Sequence, residues 1–289
     1  MKIYLKDFAD EFFAYCKESI EKEMKRNWAT ECYLSIVTVG NDPASLVYVN
    51  NKIKKLSRIE GLKVIWEKLD HDTTQEKLEE VLEDLSRDIG MNGVLLQLPL
   101  PEHLSAKKAI EYIDFDKDLD GLTNYNRSPI ETPSKKSRIL PCTALGIIYY
   151  LDSLYKTLSG KTVLVIGRSD LVGRPLVELV EKRNATVIWA NSHTPSSQLK
   201  KLIFDSDIII SAAGVPNLIT DEDVNIDRKQ LFIDVGINRD ENGNIVGDCN
   251  FKDETLCDFT AVPGGVGQLT TSMLAYNFLQ CYKRTGMVL

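Results

Sequence analysis

The stretch that most constrains the fold is residues 161–194, KTVLVIGRSDLVGRPLVELVEKRNATVIWANSHT. Residues 162–166 form a β-branched and aliphatic run bounded by glycines, which is the pattern of a strand buried on both faces. Residues 172–180 carry apolar side chains at helical spacing, and residues 185–189 form a second apolar run. The order strand, glycine turn, helix and strand predicts a βαβ unit, which is the building block of parallel sheets.

The glycine turn of this unit has two interpretations. The helix of a βαβ unit begins at the carboxyl end of the first strand, where its free N–H groups can hold a phosphate. The spacing is Gly167-x5-Gly173 rather than G-x-G-x-x-G. It therefore fits a dinucleotide site and a simple turn of a doubly wound sheet about equally well.

The residues that flank the turn favour NADP as the ligand. NAD sites usually place Asp or Glu at the end of the second strand, against the ribose 2′-hydroxyl. Here that strand ends in Trp189, Ala190, Asn191 and Ser192 without a carboxylate, and Arg168 lies in the glycine turn. A guanidinium together with a hydroxyl suits a 2′-phosphate. The alternative is that Arg168 is a solvated turn residue.

Composition excludes several classes of protein. The chain has 289 residues, of which 43% are hydrophobic and 27% charged, and its formal net charge is −7. These values are ordinary for a globular protein and argue against nucleic acid as the main partner. No apolar run reaches the length of a membrane span, and the N-terminal apolar stretch contains acidic residues, unlike a signal peptide.

The cysteines indicate a reducing compartment. The six cysteines include no C-x-x-C pair, and the three histidines do not accompany them at metal-ligand spacing. We therefore expect reduced cysteines in a cytoplasmic protein and no metal site.

Strands and helices alternate along the rest of the chain. We expect further strands at residues 33–39, 63–69, 93–98, 207–211 and 231–235. Helices are expected at residues 5–24, 43–60, 75–85, 105–113, 143–151 and 272–282. The segment 114–141 is loop-like, and we place a change of domain there. This pattern predicts an α/β protein with mainly parallel sheets covered on both faces.

A group of polar residues in the first domain is predicted to form a site. Ser45, Tyr48 and Lys52 are spaced i, i+3 and i+7, so they share one stripe of a helix. Gln97 ends a strand, and Asp120 lies in the loop KDLDG. These residues should converge at the carboxyl ends of parallel strands, where a lysine can act as an acid or base. Each also has an alternative: Tyr48 as a core aromatic, Lys52 as a solvated charge and Asp120 as a turn former.

Several sequence blocks resemble a known family. They are VGNDPASLVYVNNKIK, GVLLQLPLP, KDLDGL, PCTALG, VIGRSDLVGRP, DVGIN and VPGGVGQLT. Their order over residues 39–277 is that of the methylenetetrahydrofolate dehydrogenase/cyclohydrolase family. The resemblance implies a bifunctional enzyme. Its dehydrogenase step passes a hydride from 5,10-methylenetetrahydrofolate to NADP. Its cyclohydrolase step opens the methenyl product to 10-formyltetrahydrofolate.

The resemblance also implies an architecture. Two α/β domains should face each other across an interdomain cleft, and two chains should form a homodimer. Residues 1–141 plus 270–289 would form the folate-binding, catalytic domain, to which the C-terminal helix returns. Residues 142–269 would form the Rossmann-like, NADP-binding domain.

Residue roles are implied by position in the family motifs. Lys52 matches the catalytic lysine, and Gln97 matches the amide that hydrogen-bonds it. Tyr48 is expected to pack against the aminobenzoyl ring of the folate. Asp120 is expected to read the N–H groups of the pterin, since a carboxylate only accepts hydrogen bonds. The loop beside the folate matches Pro263, Gly264 and Gly265. The NADP contacts match Gly167, Arg168, Ser169, Ser192 and Ile237.

The sequence departs from the family pattern at a few positions. Asn191 stands where the family usually has histidine. Other departures are Ala144, Ala261, Gln268 and Leu269. Two alternatives are an NADP dehydrogenase that acts on another metabolite, such as a shikimate-type hydroxy acid, and a folate-binding protein without turnover. Asp120 fits a pterin better than an anionic substrate, and Lys52 argues against a protein without turnover.

Overall fold

The structure, a computed structural model, describes residues 1–128 and 138–286. The chain divides into two compact units, which we name after their sheets. The six-stranded unit comprises Met1–Glu11 and Cys142–Thr270, and the three-stranded unit comprises Phe12–Pro141 and Thr271–Leu289. The sequence assigned residues 1–11 to the other domain, together with residues 12–141. The reason for the difference is that the first strand of the chain pairs with Asp258–Thr260.

The elements of the first half are β1 (Lys2–Ile3), α1 (Lys6–Arg26), β2 (Cys32–Val39), α2 (Pro43–Leu56), β3 (Leu62–Leu69), α3 (Gln75–Arg87), β4 (Met91–Leu96), α4 (Ala106–Ile110) and α5 (Asn124–Arg127). Those of the second half are α6 (Cys142–Leu154), β5 (Thr162–Ile166), α7 (Gly173–Glu181), β6 (Thr186–Ala190), α8 (Ser196–Asp205), β7 (Ile208–Ser211), β8 (Ile219–Thr220), β9 (Leu231–Asp234), β10 (Asn238–Arg239), β11 (Ile245–Val246), β12 (Cys249–Asn250), β13 (Asp258–Thr260) and α9 (Val266–Thr285). No helix in the described part of the chain is long and apolar enough to cross a membrane.

The predicted elements correspond to observed ones, with shifts at their ends. The last helix, α9, begins at Val266, before the predicted start at residue 272. The sequence pattern did not indicate α8, the three-residue strand β13 or the two-residue strands, and α5 lies within the segment 114–141 that it predicted as a loop. Part of the predicted loop 114–141, residues 129–137, lies outside the described residues.

The six-stranded unit contains a parallel sheet in the order β1-β13-β9-β7-β5-β6. Val163–Ile166 of β5 are buried, as the apolar run predicts. The core includes Leu164, Ile209 and Phe232 from three neighbouring strands. The chain passes from β5 to β6 on one side and later to β7 on the other. The strand order therefore reverses beside β5, and the crevice of a doubly wound sheet opens at the carboxyl ends there.

The three-stranded unit repeats this arrangement on a smaller scale. Its sheet has the parallel order β3-β2-β4, with β2 at the centre. Leu78 and Leu82 on the inner face of α3 pack in one core with Val37 and Leu96 of the sheet. Because β3 and β4 lie on opposite sides of β2, the carboxyl ends of β2 and β4 border a second crevice of the same kind.

Asn277 on α9 holds two loop segments of the three-stranded unit, one after α4 and one before α6. The residue is 1% exposed. Its Nδ2 donates to the carbonyl oxygens of Leu119 and Leu140, each at 2.8 Å. Both acceptors are backbone groups of loops, which have no partner within a helix or strand.

Replacement of Asn277 by leucine should destabilise the protein. Asn277→Leu keeps the volume but leaves two backbone carbonyls without their donor, at a cost of about 2–4 kcal/mol of unfolding free energy. The measurement is chemical denaturation followed by circular dichroism. The matched control is Gln280→Leu, at a half-buried position of the same helix. Equal losses in the two variants would mean that the two hydrogen bonds contribute nothing specific.

Candidate active site and cofactor site

Helix α2 begins directly after the central strand of the three-stranded unit. Asp42 caps it, because its Oδ2 accepts the backbone N–H of Ser45 at 2.7 Å. This start leaves Ser45 buried, Tyr48 47% exposed and Lys52 half-buried. The interpretation of Tyr48 as a core aromatic is therefore wrong, and its ring is accessible to a ligand.

Lys52 contacts the end of β4. Its Nζ donates a hydrogen bond to Oε1 of Gln97 at 2.9 Å. Gln97 follows β4 directly, and its backbone N–H donates to the carbonyl oxygen of Val37 at 2.9 Å. Its Nε2 donates to the carbonyl oxygen of Leu98 at 2.6 Å. The amide is thus held at both ends with its oxygen facing the amine, and Lys52 is not simply a solvated charge.

Asp120 lies in a loop that a buried carboxylate shapes. Asp118 is 2% exposed and accepts hydrogen bonds from the backbone N–H of Thr123 at 2.8 Å and from Nδ2 of Asn126 at 2.9 Å. Asp118 also forms a parallel bridge with Val94 in the middle of β4. Two residues further on, the half-buried Asp120 therefore lies toward the same carboxyl end as Gln97.

The glycine turn of the six-stranded unit connects β5 to α7. Gly167 has a φ of 120°, and a side chain there would collide with the carbonyl oxygen of Ala212, at the end of β7. The N–H of Gly167 donates to the carbonyl oxygen of Ala190, the last residue of β6, at 3.0 Å. The turn is therefore pressed against the ends of both neighbouring strands, and α7 begins behind it at Gly173.

The contact between Gly167 and Ala190 brings two predicted cofactor residues to one edge. Arg168 follows Gly167, Ser192 lies two residues after Ala190, and both are exposed. Arg168 forms no hydrogen bond or ion pair with any residue in the described ranges 1–128 and 138–286. Ser169 has a local role, since its Oγ accepts the N–H of Val172 at 3.2 Å.

Asn191 shapes the turn that carries Ser192. Its Oδ1 accepts the N–H of His193 at 2.9 Å. Its own N–H donates to Oγ1 of Thr194 at 3.1 Å, and the N–H of Thr194 donates back to its carbonyl oxygen at 2.8 Å. The side chain that replaces the expected histidine is thus engaged in a local turn.

Sequence reasoning missed a role of Trp189 at this edge. Its Nε1 donates to the carbonyl oxygen of Gly167 at 2.7 Å, and the guanidinium of Arg174 lies 5.7 Å from its ring centroid. Arg174 in turn pairs with Asp170 at 3.1 Å. An aromatic residue at the end of β6 could have indicated a contact here. Its partner, the Gly167 carbonyl, could not be predicted, because it depends on the pairing of β5 with β6.

The remaining predicted residues also belong to the six-stranded unit. Ile237 lies after β9 and is 59% exposed. Pro263, Gly264 and Gly265 precede α9, and the carbonyl oxygen of Gly264 accepts the N–H of Leu5 at 3.0 Å. Lys52, Gln97, Tyr48 and Asp120 belong to the other unit.

Asp234 and Lys117 are buried acidic and basic side chains with shifted pKa values. Burial raises the pKa of Asp234, at the end of β9, to about 6, although three backbone N–H groups oppose the shift. Burial lowers the pKa of Lys117, whose Nζ donates to the carbonyl oxygens of Ser86 and Asp88 at 2.6 and 2.7 Å. Among the residues that the structure describes, no group of three or more His, Cys, Asp or Glu could hold a metal ion.

Two family descriptions match the chain. "Tetrahydrofolate dehydrogenase/cyclohydrolase, catalytic domain" matches residues 3–120, and "Tetrahydrofolate dehydrogenase/cyclohydrolase, NAD(P)-binding domain" matches residues 141–286. Together they cover most of the sequence. The chain belongs to the tetrahydrofolate dehydrogenase/cyclohydrolase family.

Relatives in this family are similar over nearly the whole chain. The bifunctional protein FolD of Listeria innocua is 40% identical over 253 residues, which are 87% of each chain. The FolD crystal structure from Campylobacter jejuni has a TM-score of 0.86 at 33% identity and covers 96% of this chain and 97% of its own. The methylenetetrahydrofolate dehydrogenase-cyclohydrolase of Trypanosoma brucei, solved with NADP and an inhibitor, has a TM-score of 0.89 at 30% identity and covers 100% and 99%.

Membership of the tetrahydrofolate dehydrogenase/cyclohydrolase family confirms the resemblance read from the motifs. It also confirms the α/β fold with a C-terminal nucleotide-binding domain. The alternative of a hydroxy-acid dehydrogenase is set aside. Both of the family's domains are matched in one chain.

Proposed function

We propose that Lys52 and Gln97 carry the hydrolytic chemistry of a bifunctional folate enzyme in this chain. As a member of its family, the chain is an NADP-dependent oxidoreductase and a hydrolase of tetrahydrofolate one-carbon metabolism. It oxidises 5,10-methylenetetrahydrofolate to 5,10-methenyltetrahydrofolate and hydrolyses the latter to 10-formyltetrahydrofolate. The observation that carries the residue assignment is the 2.9 Å hydrogen bond from Nζ of Lys52 to Oε1 of Gln97.

In the hydrolytic step, Lys52 moves a proton. Water adds to the cationic methenyl carbon, and its proton passes to Nζ of Lys52. Lys52 then returns this proton to the nitrogen as its bond to the carbon breaks, and the hydroxyl on that carbon loses its remaining proton to water and becomes the formyl carbonyl. The oxygen of Gln97 fixes the direction of the amine, and the hydrogen bond from Nε2 to the Leu98 carbonyl keeps the amide from turning over.

Two side chains of the three-stranded unit bind the substrate in this proposal. The exposed ring of Tyr48 packs against the aminobenzoyl ring, and the Asp120 carboxylate accepts hydrogen bonds from the pterin. The exposure of Tyr48 and the fixed course of the Asp120 loop support these roles.

The glycine turn fits a dinucleotide. Gly167 allows the turn to lie directly against the ends of β6 and β7, and the exposed Arg168 and Ser192 lie at the same edge. We assign the 2′-phosphate to Arg168 and Ser192, the neighbouring phosphates to the turn at Gly167 and Ser169, and a contact with the cofactor to Ile237. NADP, when bound, accepts the hydride that leaves the methylene carbon.

We also propose that two copies of the chain associate and that it works in the cytoplasm. All six cysteines are free thiols, and five of them are buried, which fits a reducing compartment. The homodimer follows from the family resemblance. Light scattering during size-exclusion chromatography tests it, since the mass should be twice that of one chain.

Removal of the Lys52 amine should abolish hydrolysis. Lys52→Met keeps the length of the side chain, and loss of a general acid or base typically costs about a hundredfold or more in rate. The measurement is decay of methenyltetrahydrofolate absorbance, with NADP binding as a check on folding. The matched control is Lys54→Met, at an exposed position of the same helix. A folded Lys52→Met variant with normal hydrolysis would refute the role.

Replacement of Asp120 should weaken folate binding selectively. Asp120→Asn exchanges one acceptor oxygen for a donor, and a charge-assisted hydrogen bond is worth about 1.5–3 kcal/mol. We expect roughly a ten- to hundredfold higher dissociation constant for the folate and an unchanged one for NADP. Calorimetry with each ligand measures both. Equal losses for the two ligands would indicate that Asp120 only forms the turn.

Removal of the Arg168 guanidinium should erase the preference for NADP. In Arg168→Ala, kcat/KM for NADP should fall about ten- to a hundredfold while the value for NAD changes little, since NAD lacks the 2′-phosphate. Arg174→Ala is the matched control, because that arginine lies near the same turn and pairs with Asp170. A parent enzyme that prefers NAD, or an unchanged NADP-to-NAD ratio in Arg168→Ala, would contradict the assignment.

A further inference from the structure

Asp248 is a fully buried carboxylate with an unusually complete set of donors. It is 0% exposed. Its Oδ2 accepts the hydroxyl of Ser211 at 2.8 Å and the N–H groups of Ala213 and Gly214 at 2.8 and 3.3 Å. Its Oδ1 accepts the N–H of Val215 at 2.9 Å and Nδ2 of Asn238 at 3.1 Å. A carboxylate suits this position because it offers about four acceptor sites and no donor.

These donors come from two different loops at one edge of the sheet. Ser211 ends β7, the turn 213–215 follows it, and Asn238 begins the two-residue strand β10 in the connection after β9. Both loops leave the carboxyl ends of neighbouring strands, so a single side chain ties them together. A side chain at Gly236 would collide with Oδ1 of Asp248, which shows how closely the second loop passes.

A second buried carboxylate fixes Asp248 itself. Oδ1 of Asp234 accepts the N–H of Asp248 at 3.0 Å and that of Gly236 at 2.9 Å. Oδ2 of Asp234 accepts the N–H of Cys249 at 2.8 Å. The segment that carries Asp248 is therefore fixed to the end of β9. Asp248 in turn fixes the turn after β7 through its own hydrogen bonds.

The position of the two loops indicates which half of a dinucleotide they would contact. A doubly wound sheet binds one mononucleotide half on each side of the point where the strand order reverses, which here is beside β5. Arg168 and Ser192 lie on the β6 side, which takes the 2′-phosphate half. The β7 and β9 side takes the other half, where Val215 and Ile237 are 47% and 59% exposed. These two exposed apolar side chains lie on loops that Asp248 holds, and they suit the flat nicotinamide ring.

We propose that Asp248 is a positioning residue for the nicotinamide half of NADP, acting through the turn 213–215 and Asn238. The inference rests on the proposed function, because it assumes that NADP binds at this crevice. No ligand can reach the Asp248 side chain. It sets the geometry in which the cofactor receives the hydride only through the loops that it holds.

The test compares two isosteric substitutions in the full-length protein. Asp248→Asn replaces one acceptor oxygen by an NH2 group that faces N–H donors. The matched control is Gln230→Glu. Gln230 is 1% exposed, and its Nε2 donates to the carbonyl oxygens of Ile203 and Ser206, each at 2.8 Å. It directly precedes β9, so it lies at the opposite, amino end of the sheet. Both variants place a mismatched polar atom in the core of the same unit.

The probes separate the two halves of the cofactor. In Asp248→Asn, the dissociation constant of NADP and the KM for NADP should rise at least about tenfold, as expected for the loss of one charge-assisted hydrogen bond. The dissociation constant of adenosine 2′,5′-bisphosphate and the KM for methylenetetrahydrofolate should change less than about twofold. In Gln230→Glu, the ratio of the NADP and bisphosphate constants should match the parent.

Three outcomes would overturn the proposal: equal weakening of both probes by Asp248→Asn, unchanged NADP binding, or the same selective loss in Gln230→Glu. If Asp248→Asn fails to fold, Ser211→Ala is the second variant, because it removes one fully buried donor to Asp248. It should raise the dissociation constant of NADP about threefold and leave that of the bisphosphate unchanged. The absence of such a selective rise would also count against the proposal. If the parent binds neither probe, the proposed function fails and this inference with it.

Discussion

Parallel strand pairing determines where the functional side chains of this protein lie. A parallel connection needs a crossover, and in both units helical crossovers return the chain to the same end of the sheet: α2 and α3 in the three-stranded unit, α7 and α8 in the six-stranded unit. The consequence is that all loops after the main strands meet at the carboxyl edge. In the three-stranded unit this edge receives Lys52 and Gln97, and in the six-stranded unit it receives the turn at Gly167.

Buried polar side chains hold the loops at these edges. Asp118, Asn277 and Asp248 are each at most 2% exposed, and each binds backbone groups of loops rather than of strands. Burial of a carboxylate or amide is costly unless its hydrogen bonds are made. Because each of these residues makes several, the cost is offset and the loops acquire a fixed course. Rigid loops on a rigid sheet are what precise positioning of two ligands requires.

The sequence predicted the parts of the fold that depend on local pattern. Apolar runs identified β5 and β2, since their residues are buried on both faces, and the Asp42-Pro43 pair marked the start of α2. Periodicity could not reveal β1, because its partner, Phe259, is distant in sequence. The two-residue strands carry too few side chains for any period.

The site was predictable to a similar degree. Motif positions pointed to Lys52 and Gln97, which the structure brings into contact. The hydrogen bonds of Asp248 could not be predicted from the residues around it, because its donor Ser211 lies 37 residues away. Hydrogen bonds between residues so far apart in the sequence depend on the order of the strands in the sheet, not on the spacing of residues along the chain.

Asn191 illustrates how a departure from a family motif can be absorbed. A histidine at this position would bring a ring nitrogen to the rim of the crevice, whereas the Asn191 oxygen accepts the N–H of His193. The turn also has the reciprocal hydrogen bonds between Asn191 and Thr194, so its shape does not depend on a ligand. Under our proposal, the positive charge for the 2′-phosphate then comes from the other side of the Gly167–Ala190 contact, where Arg168 is exposed. A guanidinium stays charged at any working pH, so recognition of the phosphate in this chain should be less sensitive to pH than recognition by a histidine.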